Sequence, residues 1–341
     1  MRRGVSTAGR RTNLALLALT LIAATTGVLA FGVGGHWVRW TIVAHGAAAL
    51  GIVALVPWKT VIASRGIRRH RYRSAPSILL AGALTVVTIT GLGHAAGVLV
   101  RLGPVSAMQL HVGSAIAIVV LLGWHVIARP TRPRRADLTR RNLLRAGVVA
   151  GGAAAAYGTL EVATHVLRLP GAARRATGSY ERGSLDPAAM PVTQWLNDEV
   201  QVTDPAGWRL SIEDAGGRRS VAYEELDADR DRIRAVLDCT GGWWADQEWE
   251  GVLVARLLSG FENASSIEVT SLTGYSRRLP AADAGRLLLA TRVGDAPLSP
   301  GHGFPARLVA AGRRGFWWVK WVDRIALSEV PWWWQAPFPT A

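Results

Sequence analysis

The sequence predicts two dissimilar halves. The first is an all-α transmembrane bundle of four helices plus a fifth linking span; the second is an α+β domain of strands and short helices. Three observations lead there. Half of the 341 residues are hydrophobic and 18% are charged, a balance that excludes a disordered chain. Apolar stretches of bilayer-crossing length recur five times before residue 170. After residue 180 the charges mix and turn clusters separate short β-branched runs, the pattern of an ordinary folded domain.

The apolar stretches lie at about 14–34, 40–63, 77–100, 105–128 and 144–167. A helix needs about 20 apolar residues to cross the hydrocarbon core. The first four leave no polar face, which a helical bundle in water would need. The fifth is Ala/Gly-rich and carries Glu161, His165 and Arg168 near its end. Arginines set the orientation. Arg2, Arg3, Arg10 and Arg11 precede the first span, Lys59 stands near the inner end of the second with Arg65, Arg68, Arg69, Arg71 and Arg73 after it, and Arg129 to Arg145 follow the fourth. The alternate loops hold only Arg39 and Arg101. Basic loops stay cytoplasmic, so the N-terminus is predicted inside and the C-terminal domain outside. The net charge of +15 is then mainly a topology signal and no mark of nucleic-acid binding. Thr139-Arg140-Arg141-Asn142-Leu143-Leu144-Arg145 resembles a twin-arginine export signal placed inside the chain. Ala154-Ala155-Ala156 could serve for cleavage, but an uncleaved chain is expected.

Ionisable residues inside a membrane are costly and point to function. His45 and His111 each lie roughly 10 Å below the outer ends of the second and fourth spans, at 1.5 Å per residue. Two histidines at one depth on two helices suit the axial positions of one haem b. His94, near the outer end of the third span, competes for this role, and His36 falls in the outer loop. His125 follows His111 by fourteen residues, which returns it to within about 40° of the same face. That spacing would let one helix serve two stacked haems, but the matching place on the second span holds Lys59 and Thr60, and His70 lies in the inner loop. One haem is therefore expected, two being the alternative. Gly46, Gly93, Gly97 and Gly113 are expected to admit a flat macrocycle or a close helix.

In the second half, Trp208–Ile212, Ala235–Leu237 and Ser266–Thr270 read as strands, and Tyr223–Arg234 as a short helical region. The one cysteine, Cys239, can form no intramolecular disulfide. By composition alone it reads as a small buried hydrophobe.

Ordered motifs change that reading. Val236-Leu237-Asp238-Cys239-Thr240-Gly241-Gly242-Trp243 precedes Trp249-Glu250-Gly251-Val252. Later come Gly274-Tyr275-Ser276-Arg277-Arg278-Leu279-Pro280, Gly294-Asp295-Ala296-Pro297-Leu298, Gly301-His302-Gly303-Phe304-Pro305-Ala306-Arg307 and Val319-Lys320-Trp321-Val322-Asp323-Arg324. Over about 195–330 this set resembles the sulfite oxidase-type family of molybdopterin oxidoreductases. The resemblance implies that Cys239 ligates molybdenum, a suitable task for a soft thiolate. It implies that His302, Arg307 and Lys320, with Trp243, contact the pterin and its phosphate, and that Tyr275 points into the metal pocket as a catalytic residue. An apolar turn, Thr240-Gly241-Gly242-Trp243-Trp244, follows the cysteine where sulfite oxidisers carry arginine. With a Trp four residues after the cysteine, it looks closer to the bacterial periplasmic methionine-sulfoxide-reductase-like branch. The family's usual N-terminal pterin-contacting stretch has no clear counterpart; Pro191-Val192-Thr193-Gln194-Trp195 occupies its place.

The organisation expected is a cytochrome b-like domain at 1–135, a fifth span and linker at 136–190, and a molybdopterin domain at 191–341. The function expected is oxygen-atom transfer on a small substrate at an extracytoplasmic molybdenum centre, with electrons exchanged with the quinone pool through haem b in a bacterial cell membrane. A membrane sensor or scaffold with a metal-free molybdopterin fold is the alternative. Substrate, electron direction and oligomeric state stay open.

Overall fold

The computed structural model describes residues 9–32, 37–69, 75–103, 105–195, 198–228 and 230–337. Arg2, Arg3, Arg71, Arg73, His36 and His70 lie outside the described residues. The chain forms two compact units whose main division falls between Gly178 and Ser179.

The first unit contains five long helices: α1 (Arg10–Gly32), α2 (Val38–Arg69), α3 (Ala75–Ala96), α4 (Ala107–Ala128) and α5 (Arg140–Val166). All five have segments long and apolar enough to cross a membrane. They start and stop within a few residues of the apolar runs because Arg/Gly/Pro-rich segments punctuate those runs. The start of α4 is fixed by a capping box. The Gln109 N–H donates to Ser106 Oγ at 3.1 Å, and the Ser106 N–H donates to Gln109 Oε1 at 2.8 Å. Such reciprocal caps satisfy two of the open amides of a first turn. α3 packs along α4, and α2 along α5. Between α3 and α4 a two-residue hairpin pairs β1 (Arg101–Leu102) with β2 (Val105–Ser106). Arg10, at the start of α1, makes a bidentate bond to Asp137 in the loop after α4.

The second unit is sheet-rich, with helices of only four and six residues. One sheet contains β3 (Tyr180–Glu181), β6 (Asp231–Asp238), β7 (Trp243–Leu253), β10 (Leu287–Val293), β11 (Ala296–Pro297) and β12 (Arg307–Ala310). β7 lies beside β6, β10 and β3. The other sheet runs β5 (Gly217–Ala222), β4 (Arg209–Asp214), β13 (Val322–Ser328), β8 (Ser266–Ser271), β9 (Ser276–Pro280). Their inner faces share a core that includes Leu210, Ile212, Trp249, Ile267, Leu279, Leu289, Leu308 and Ile325. Each such side chain contributes about 1.5–3 kcal/mol on leaving water.

Two boundaries differ from the sequence reading. The helix α6 stops at Ala228 (Tyr223–Ala228), and residues 231–234 begin β6. Ile233, Ala235 and Leu237 alternate with Arg232 and Arg234, and full-length pairing with β7 rewards period 2 over a helix. β3 pairs in parallel with the start of β7 through Tyr180 and Glu181, upstream of the residue 191 at which the sequence places the start of the domain.

Candidate functional site

Cys239 sits where β6 ends, in the four-residue turn to β7. The Cys239 N–H donates to the Trp243 carbonyl at 2.8 Å, and the Gly242 N–H returns to the Cys239 carbonyl at 3.2 Å. Two polar groups reach the half-buried sulfur. Thr193 Oγ1 lies 3.3 Å away, and the Gly241 N–H donates at 3.3 Å.

A buried ion pair fixes this turn from behind. Arg314 binds the Asp238 carboxylate, and its second Nη donates to the Cys239 carbonyl at 3.3 Å. Ser179 Oγ donates to the same carboxylate at 2.7 Å. Arg314 and Asp238 are 4% and 7% exposed, so removing either partner strands a buried charge. Arg314→Met is expected to cost about 3–5 kcal/mol, read as a lower urea midpoint for the sheet domain followed by tryptophan emission. Glu213→Gln, at the half-exposed Arg324 pair, is expected to cost below about 1 kcal/mol. Equal midpoints would contradict this account of the turn.

Three basic side chains converge from other elements. His302 lies in a single 3-10 turn, Arg307 opens β12, and Lys320 precedes β13. His302 is held by Ser299 Oγ at 2.8 Å and the Met190 carbonyl at 3.1 Å. Arg307 Nη1 donates to the His302 carbonyl at 3.1 Å, and its guanidinium lies over the edge-to-face pair of Trp249 and Trp318, 5.2 and 5.7 Å from their ring centres. Lys320 Nζ donates to the Thr193 and Gly301 carbonyls at 2.8 and 2.6 Å. Gly303 lets them approach. It adopts φ +107°, and a Cβ there would come within 3.0 Å of Arg307 Cβ and 3.1 Å of Lys320 Cβ.

The electrostatics of the cluster are unbalanced. Burial pulls the His302 imidazole down to about 4, helped by the Arg307 and Lys320 charges. Burial lowers the Arg307 guanidinium to about 10. Burial and then Arg307 lower the Lys320 ammonium to about 7. Among the described residues no carboxylate lies within 4 Å of Arg307 or Lys320; Asp198 acts on Lys320 only at longer range. Arg307 Nε and Trp243 Nε1 are buried with no hydrogen-bond partner. Burying cations without counter-charge is expensive, and buried donors normally find acceptors. An anionic ligand rich in acceptors, set beside the Cys239 sulfur, answers both. A pterin carrying phosphate and dithiolene sulfurs fits these residues.

The structure therefore brings Cys239, Trp243, His302, Arg307 and Lys320 into one region. A Cβ on Gly241 would touch both the Cys239 sulfur, at 3.5 Å, and the Trp243 indole nitrogen, at 3.7 Å. Tyr275 lies buried nearby, but its hydroxyl donates to the Phe316 carbonyl, and burial pushes the phenol up. It stays neutral and committed to the backbone. The sequence reading missed Thr193, Ser179 and Arg314. For Arg314 the only signal was an arginine pair between glycines in an otherwise apolar stretch. For Thr193 it was the stretch 191–195, which replaces the expected pterin-contacting segment and here supplies both a sulfur contact and a Lys320 acceptor.

In the helical unit, His45 and His111 meet. Their ring centres are 5.9 Å apart with planes at 72°. His45 Nδ1 is 2.8 Å from the Ala23 carbonyl, and His111 Nδ1 is 2.8 Å from the Val87 carbonyl. Those bonds place the proton on Nδ1 and leave each Nε2 as a lone-pair donor, the orientation metal-ligating histidines require. His94 Nε2 is taken by the Gly178 carbonyl at 2.8 Å. His125 Nδ1 lies 3.4 Å from Ser77 Oγ. The glycines facing the paired rings are Gly27 and Gly91, where a Cβ would come within 3.2 Å of His45 and 2.9 Å of His111. Gly46 instead faces Tyr157, Gly93 faces Leu99, Gly97 backs onto Pro170–Gly171, and Gly113 faces open space.

Two sheets around a cysteine-bearing hairpin, with an unneutralised basic cluster beside the sulfur, are the features of a pterin-dependent oxidoreductase domain. Residues 197–333 match the family described as Oxidoreductase molybdopterin binding domain, and the C-terminal unit is a molybdopterin-binding oxidoreductase domain of sulfite oxidase type. The chain is 26% identical over 166 residues to mitochondrial sulfite oxidase of Drosophila melanogaster, covering 38% of this chain and 29% of that protein. It also matches a chain of the sulfane dehydrogenase SoxCD from Paracoccus pantotrophus at 21% identity with a TM-score of 0.36, over 38% of this chain and 40% of that one. The chain thus spans less than half the length of either protein.

Proposed function

We propose that this chain is a membrane-bound oxidoreductase in which an extracytoplasmic molybdopterin centre performs oxygen-atom transfer on a small substrate and exchanges electrons with quinone through a haem b held by His45 and His111. The observation that carries the reading is the basic cluster of His302, Arg307 and Lys320, unneutralised at close range and set beside the Cys239 sulfur. Among the described residues no three His, Cys, Asp or Glu side chains converge as a metal site, so each metal would draw most of its donors from its own cofactor.

When bound, the molybdenum cofactor supplies two-electron oxygen-atom chemistry and the haem supplies one-electron carriage. The chain supplies the rest. Cys239 holds the metal through its thiolate, with Thr193 and Gly241 orienting the sulfur. Arg307, Lys320, His302 and Trp243 hold the pterin's phosphate and ring acceptors. Trp249 and Trp318 keep water from Arg307, which strengthens its hold on an anion. The bond between Arg10 and Asp137 sets the start of α1 beside the loop after α4. A shared side for these two basic segments is what the topology read from the arginine-rich loops requires; the inside assignment rests on the arginines alone. The twin-arginine run at Arg140–Arg141, which opens α5, is consistent with export of the sheet domain. The apolar turn at Thr240–Trp244 favours reduction of a sulfoxide-type substrate over sulfite oxidation.

The test is a redox titration of the full chain in lipid. Quinol should reduce a b-type absorbance, and a small sulfoxide should reoxidise it. If both metals are present and neither S-oxides, N-oxides nor sulfite changes that absorbance, the reading fails. Gly91→Val tests the haem assignment alone. Its side chain collides with the His111 ring, so haem content should fall at least about tenfold, the scale of disturbing a group that positions a metal ligand, while molybdenum content holds.

A further inference from the structure

The helical unit carries a second set of polar groups one level below the histidine pair. Lys59 follows His45 by fourteen residues, and His125 follows His111 by fourteen. Fourteen residues amount to about 21 Å along a helix and a return to within about 40° of the same face. Because His45 meets His111 and Lys59 lies within electrostatic reach of His125, α2 and α4 run in the same direction with matched levels. Lys59 Nζ donates to Asn13 Oδ1 at 3.2 Å, and His125 Nδ1 lies 3.4 Å from Ser77 Oγ. Each of α1 to α4 thus contributes a polar side chain to this level, and Arg129, just past the end of α4, lies within electrostatic reach of both Lys59 and His125. Among the described residues no carboxylate pairs with Lys59; Asp137, the acid of the following loop, is taken by Arg10 and Arg11.

We propose that Lys59 and His125, backed by Asn13 and Ser77, form the binding site for the quinone head group. This rests on the quinone-exchange reading and gives it a location. Half-exposed polar groups at membrane depth suit a partner that is itself apolar enough to enter from lipid. A quinone ring offers two carbonyl acceptors on opposite edges of a flat apolar body. Lys59 and His125 offer one donor each from two facing helices, with Asn13 and Ser77 fixing their positions. A second haem suits the site less well, because an ammonium donating to Asn13 has no lone pair for iron. A lipid phosphate also suits it less well. Lys59 lies six residues before Arg65 on α2, about 9 Å deeper at 1.5 Å per residue, so Arg65 stands nearer the headgroups.

The experiment is photolabelling of the full, haem-loaded chain in lipid with short-chain azido-ubiquinone and azido-naphthoquinone, mapped by peptide mass spectrometry. Label should concentrate in segments 57–65 and 121–129, and excess unlabelled short-chain quinone should remove it. Lys59→Met and His125→Phe should each reduce that label at least tenfold while leaving the haem spectrum as in the parent chain. Label elsewhere, with quinol still reducing haem in both variants, would overturn the site and leave quinone exchange standing. Absence of label together with no haem reduction by quinol in the parent chain would overturn both. Unchanged quinone label with loss of co-purifying anionic lipid in Lys59→Met would assign the site to lipid and overturn the proposal. The protection arm in the parent chain decides the matter even where a variant fails to fold.

Discussion

Replacing Cys239 by serine is expected to abolish turnover and to strip or alter the molybdenum centre while leaving the proposed haem of the helical unit untouched. The argument is local. The sulfur stands at the tip of the β6–β7 hairpin with Thr193 and Gly241 oriented on it. A serine hydroxyl is nearly isosteric, so the turn, its Arg314–Asp238 support and the surrounding core keep their packing. What is lost is a soft, polarisable thiolate, and oxygen does not replace that for a metal bound through sulfur. Elemental molybdenum per chain and turnover should therefore fall together, with an unchanged urea midpoint when variant and parent are compared free of cofactor. Arg307→Met should weaken retention of the cofactor by roughly 10–100-fold, the scale of losing a hydrogen-bonded charge. Normal activity in Cys239→Ser would sink the ligand assignment.

The second large effect lies in the other unit. His111→Ala should remove the b-type absorbance entirely. His111 is held by the Val87 carbonyl with its ring 5.9 Å from His45, so alanine removes one of the two imidazoles proposed to hold the haem and leaves an apolar gap. His45→Ala should do the same, and molybdenum content should stay normal in both. His94→Ala should leave absorbance in place, because His94 Nε2 is already bonded to the Gly178 carbonyl. If His94→Ala loses the absorbance and His111→Ala keeps it, the pairing is wrong.

The helices were legible because runs of about 20 apolar residues between arginine-rich loops allow little else. The level of His45 and His111 was legible from rise per residue alone. Which glycines face them was not, since Gly27 and Gly91 lie on neighbouring helices and only packing relates them. The β6 start was misread because Asp/Arg-rich sequence from 227 to 234 suits a helix locally, and pairing with β7 overrides that preference. The order of the Cys239, His302, Arg307 and Lys320 motifs could be read along the chain. Arg314 could not, because its partner Asp238 is 76 residues away and neither residue carries a local pattern. Thr193 was passed over for a similar reason: its value comes from Lys320 and Cys239, both distant in sequence. Tyr275 was assigned to the metal pocket by resemblance, whereas the structure commits its hydroxyl to Phe316.

The most direct test of the central claim is the metal and optical content of the purified full chain. Molybdenum and iron are measured per chain, alongside a dithionite-reduced minus oxidised spectrum. The account predicts one molybdenum per chain, one iron per chain and a b-type haem signal. Well-folded protein holding neither metal would contradict it and favour a sensor or scaffold built on a metal-free molybdopterin fold.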